Sequence, residues 1–109
     1  MPLDKKDLEV LNKLKKGLKR VLKDNFIELD VFGSKVRGTD DEESDIDVLI
    51  LVKKGGSEVL DLVAEEVASI KLSTDLPISP VVYTLEEFNV NKRLGSPFVH
   101  SIEQESIKL

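Results

Sequence analysis

Gly33-Ser34-Lys35-Val36-Arg37-Gly38, then Thr39-Asp40-Asp41-Glu42-Glu43-Ser44, then Asp45-Ile46-Asp47 is the stretch on which the fold is decided. An apolar run from Phe26 to Phe32 leads into it and a second, Val48 to Val52, leads out. Both polar motifs therefore sit at strand ends, where sites are commonly built. Side chains alternate faces along a strand, so Asp45 and Asp47 share a direction at a spacing of about 6–7 Å, with Ile46 and Val48 on the other face. Two carboxylates side by side repel unless a proton or cation lies between them, and hard oxygen donors of this kind suit Mg²⁺. The plain alternative is a pair of solvated carboxylates on an exposed strand face, although aspartate is a poor strand former.

Gly33 directly after a strand lets the backbone turn sharply and approach a ligand, with the following amides free to point at phosphate oxygens. Ser34 adds a hydroxyl, and Arg37 can pair with a phosphate in a fork. Taken alone, Gly-Ser after a strand is most often a turn with a helix cap. Its coupling to Asp-x-Asp gives it weight.

Together these residues resemble the nucleotidyltransferases related to DNA polymerase beta, and in particular the small minimal nucleotidyltransferases with antitoxin members. Gly33, Ser34, Arg37, Gly38, Asp45 and Asp47 match the motif, and Ser44 also fits it. Thr84-Leu85-Glu86-Glu87-Phe88 and the segment from Ser96 to Leu109 look like the tail of these small proteins, so the resemblance covers almost the whole chain. It implies an α+β fold, the nucleotidyltransferase fold, with a small mixed sheet of three to four strands packed against helices on one side. It implies transfer of a nucleoside monophosphate, AMP from ATP, to a hydroxyl. Asp45 and Asp47 would be catalytic and hold Mg²⁺, two ions when ATP is bound, while Gly33, Ser34, Lys35 and Arg37 would bind the nucleotide. A small helical partner of the HEPN toxin type is implied as well. Catalytic members carry a third carboxylate on the following strand, where this chain has Ile78-Ser79-Pro80-Val81-Val82-Tyr83. The matching position falls on Val81, or on Ser79 of the same parity, and neither is a carboxylate. Glu86, Glu43 and Asp40 are the candidates to substitute. The rival expectation is a weak or inactive nucleotidyltransferase-like protein that neutralises a partner by occupation.

The rest of the chain sets bounds. Its 109 residues suit one domain spanning 1–109, with 40% hydrophobic content and one modest core. The absence of cysteine excludes disulfides, thiolate zinc sites and cysteine nucleophiles, and with no membrane-length apolar run the simplest location is cytoplasmic. A net charge of −5 and five scattered aromatic residues make no strong case for nucleic acid. So small a domain has no second module to hold an acceptor, so a partner protein or self-association is expected.

Periodicity predicts a helix over 4–24 capped by Asp4, whose many lysines read as a solvated face. In the first strand Ile27, Leu29 and Val31 should face the core, and Asp30 should face solvent. The continuously apolar second strand should be covered on both faces. A helix follows from Ser57 to about Leu72, then a strand, Ile78–Tyr83, in which Pro80 argues for an edge. Thr84 and Glu87 form a capping box, Ser96-Pro97 starts a last helix, and 107–109 can add a short strand. Tyr83 ends its strand beside the expected site, and His100 is a lone histidine without metal partners.

Overall fold

The computed structural model describes residues 3–33, 45–74 and 76–109. Helix α1 runs Lys5–Leu22, and its start is fixed by a capping box. The Asp7 amide donates to Asp4 Oδ1 at 2.8 Å and the Asp4 amide to Asp7 Oδ2 at 3.4 Å, satisfying two donors that a helix start leaves open. Lys23, at φ +53°, ends the helix, and a 3₁₀ turn over Lys23–Asn25 hands the chain to strand β1, Phe26–Phe32.

Strand β2 is Ile46–Val52, helix α2 Ser57–Thr74 and strand β3 Ile78–Thr84. Helices α3, Leu85–Arg93, and α4, Pro97–Glu105, follow, and β4, Ile107–Lys108, closes the chain. The sheet order is β3-β2-β1-β4. β1 is antiparallel to β2 and to β4, whereas β3 runs parallel to β2, so the mixed α+β sheet expected from the sequence is present. Asn25 clasps the far end of the β1–β2 pair, its amide group donating to the Lys54 carbonyl at 2.8 Å and accepting from the Lys54 amide at 2.7 Å.

The two long helices lie on one face, where Leu11, Leu14 and Leu18 meet Leu29, Val48 and Ile50, all fully buried. Each such side chain contributes about 1.5–3 kcal/mol through the area removed from water. The helices are not confined to that side. Leu49 and Leu51 point to the opposite face and pack with Ile102 of α4, joined by Phe88 of α3 and Phe98 of α4. This is what the unbroken apolar run of β2 requires, since a strand apolar at every position needs cover on both faces.

Two expectations for β1 are corrected. A register irregularity between Phe26 and Glu28 inserts one extra residue against β2, which turns Phe26 to the main core and Ile27 to the smaller cluster. Asp30 does not face solvent: it is 4% exposed, because β4 lies beside it with Lys108 opposite. Pro80 does stand on an edge strand, as its missing amide demands.

Candidate functional site at the end of the first strand

The turn that leaves β1 begins at Gly33, with φ +89°. That region disfavours any residue with a Cβ. The space a Cβ would take is already filled by the Asp47 carboxylate: such an atom would overlap Oδ2 and lie 3.1 Å from Cγ. Asp47 reaches this position because β2 pairs it with Phe32, the residue before Gly33. The turn and the second aspartate of the Asp-x-Asp pair are thus in direct apposition.

Ile46 and Val48, on either side of Asp47, are fully buried in the main core, which forces Asp47 onto the other face of β2. The Ile46 amide donates to the Pro77 carbonyl at 2.9 Å, tying this end of β2 to the start of β3. Asp45 is exposed and immediately precedes β2. Ser34, Lys35, Arg37 and Gly38, together with Asp40, Glu43 and Ser44, lie outside the described residues.

The register also locates the position where a third carboxylate is expected. Ser79 lies opposite Asp47 and Val81 opposite Leu49, so the neighbouring strand offers Asp47 a hydroxyl. Glu86 cannot stand in. It follows Thr84, which pairs with Val52, five residues along β2 from Asp47 and so about 16 Å away. Tyr83 is likewise at the far end of β3, where its ring meets Phe98 edge-on at a centroid distance of 5.7 Å. Parallel strands start at the same end, so the start of β3 borders the turn, and the tyrosine at its end does not. His100 is exposed on α4, and among the described residues no three His, Cys, Asp or Glu side chains gather into a metal-binding group.

The donor set nonetheless fits a magnesium ion. Mg²⁺ is commonly held by one or two carboxylates with substrate phosphates and waters completing its shell, and Asp45 and Asp47 are hard oxygen donors, the second set against Gly33.

Asp30, which the sequence expectation set in solvent, has a strongly altered protonation among the described residues. Its carboxyl is pushed up to about 7 by burial, reinforced by a hydrogen bond with Glu28 and by the negative charge of that neighbour, with Lys108 pulling the other way. Lys108 Nζ lies 3.5 Å from Glu28 Oε1. The available signal was Glu28 and Asp30 sharing a parity in an otherwise apolar strand, which places two carboxylates side by side.

The nucleotidyltransferase domain family has a model that matches residues 11–108. A relative from Methanocaldococcus jannaschii, named as a candidate protein adenylyltransferase, is 32% identical over 108 residues, which is 94% of this chain and 97% of the relative. Among solved structures, spectinomycin adenyltransferase from Enterococcus faecialis, with ATP and spectinomycin, superposes with a TM-score of 0.61 at 26% identity. That match covers 74% of this chain and 35% of the other, so the chain spans about a third of that enzyme. A minimal nucleotidyltransferase gives a TM-score of 0.59 at 21% identity, covering 94% of this chain and 95% of its own. A toxin-antitoxin structure with AMP-PNP gives 0.60 at 18% identity, covering 89% and 69%. At these last two identities the likeness shows the fold.

Proposed function

The chain belongs to the nucleotidyltransferase domain family, and from that premise we propose that it transfers AMP from ATP to a hydroxyl on a partner protein. The observation that supports this reading is the apposition of Gly33 and Asp47, because it sets one carboxylate of the motif against the glycine from which the motif's turn departs. The protein acceptor is favoured by the name of the 32% identical relative, a candidate protein adenylyltransferase. The partner we have in view is a small helical protein of the HEPN toxin type, as the likeness to a toxin-antitoxin structure suggests.

In the reaction, the acceptor oxygen forms a bond to the α-phosphorus, the bond from that phosphorus to the α,β-bridging oxygen breaks, and pyrophosphate leaves with the pair of electrons. The hydroxyl proton passes to solvent or a nearby base. Magnesium, when bound, would supply electrostatic stabilisation of the charge that develops during transfer. Asp45 and Asp47 are the residues that would hold them. The Ser34 hydroxyl and the amides after Gly33 grip the β- and γ-phosphates, and Lys35 and Arg37 offset their charge. Gly33 keeps the turn close enough for phosphates and carboxylates to share one place.

The test is incubation with α-labelled ATP, Mg²⁺ and a candidate helical partner protein, comparing the wild type with Asp45→Ala/Asp47→Ala. Label on the partner that disappears in the double variant is the expected result. A second reading, neutralisation of the partner by occupation, is favoured by the hydroxyl of Ser79 and the methyls of Val81 where a carboxylate is usual. Mg²⁺-dependent ATP binding without transfer, with the partner still inhibited, would establish that reading.

A further inference from the structure

On the sheet face that carries Asp47, helices α3 and α4 leave a cavity of about 300 Å³ over β1 and β4. Its walls include Glu28, Asp30 and Lys108 from the sheet, Phe88 from α3, and Ile102 and Glu103 from α4. Neither Gly33 nor Asp47 lines it. Phe32, which follows Asp30 on this face, pairs with Asp47 and meets Phe98 edge-on at 5.3 Å.

The charges around the cavity do not balance. Among the described residues Glu28 has Lys108 at 3.5 Å and Glu103 of the cavity wall has Lys92 at 2.7 Å, so three carboxylates share two ammonium groups. The remaining charge falls on Asp30, the most deeply placed of the three carboxylates at 4% exposed. Burial of a carboxyl beside a second carboxyl is unfavourable, and here the group opens on a cleft walled in part by Leu51, Phe88 and Ile102, a combination found at binding sites. No step of nucleotidyl transfer described above uses it.

We propose that this cavity binds a small organic monocation, an ammonium group on a compact apolar body. The ammonium pairs with Asp30 and the body lies against Phe88 and Ile102. One positive charge completes the local balance, and the volume is at the small end of the range for ligand sites. In the empty cavity a proton takes that place, which is why burial and Glu28 hold the Asp30 carboxyl up to about 7. Ligand and proton therefore compete, with Glu28, Lys108, Glu103 and Lys92 as the other charged groups on the elements packed around it.

The probe is cyclohexylammonium, with neutral cyclohexanol as its isostere, titrated into the full ¹⁵N-labelled chain at pH 6 and pH 8. The expected result is amide shifts at Asp30, Phe88 and Glu103 with cyclohexylammonium, an affinity about tenfold higher at pH 8 as the competing proton leaves, and no such shifts with cyclohexanol. Asp30→Asn, which keeps shape and hydrogen bonding, should abolish the binding. Equal binding of cyclohexanol, an affinity independent of pH, or no shifts in the wild type would overturn the proposal without any appeal to the variant.

Discussion

Gly33 and Asp47 show how one backbone angle can decide a site. Any side chain at residue 33 meets both the positive φ and the Asp47 carboxylate. Gly33→Ala should therefore lower stability by about 1–2 kcal/mol through the backbone alone. By pushing Asp47 aside, it should also reduce labelled AMP transfer by about tenfold or more. Denaturant titration and the transfer assay would read the two effects separately, and a variant with unaltered transfer would remove Gly33 from the site. Asp30 makes a different prediction. Its carboxyl is raised from 3.8 to about 7 in the folded chain, so between those values the folded state holds a proton that the unfolded state has released. Stability contributed by this group is present at low pH and is lost as pH rises towards 7, with a slope approaching about 1.4 kcal/mol per pH unit. Asp30→Asn should flatten that slope and be more stable than the wild type at pH 8, as measured by urea unfolding across the range.

Among the elements, the best-specified boundary is the one between β3 and α3. Thr84 Oγ1 accepts from the Glu87 amide at 3.0 Å and Glu87 Oε1 accepts from the Thr84 amide at 3.0 Å. Thr84→Ala should cost about 1 kcal/mol, visible as a lower unfolding midpoint with unchanged denaturant slope. That box, the Ser96-Pro97 start of α4 and the edge placement of Pro80 were all legible in the sequence, because each rests on the chemistry of one or two neighbouring residues. So was the face on which Asp47 stands, since Ile46 and Val48 are core residues wherever the strand is placed. The bulge at Ile27 was not, because a period of two assumes an unbroken register and nothing local marks the break. Nor was the burial of Asp30, which depends on β4 returning from almost eighty residues away to lie beside β1. Tyr83 was misplaced for a related reason: the sequence shows that it ends a strand, and only the parallel pairing shows which end of the sheet that is.

At the scale of the molecule, we propose that residues 1–109 fold as one domain and in one step. The two clusters share β2, with Ile50 in one and Leu49 and Leu51 in the other, so neither can come apart while the other stays whole. Helix loss by circular dichroism and the change in Tyr83 fluorescence should then coincide in urea, and two separated transitions would show independent parts. The chain end takes part as well. Ile107 and Leu109 pack on the main core, and the Leu109 amide donates to the Leu29 carbonyl at 2.9 Å. Removing residues 107–109 should lower the melting midpoint by about 5–10 °C. Among the described residues no helix is long and apolar enough to cross a membrane.

The edges of the sheet have a consequence for how copies of this protein behave when crowded. One border is a strand holding Pro80, which withholds an amide, and the other is β4, only two residues long. Each is a poor template for the addition of a foreign strand, so concentrated solutions should resist stacking into ribbons. Any companion should then be gripped chiefly by side chains on helices and loops rather than by main-chain pairing along a border.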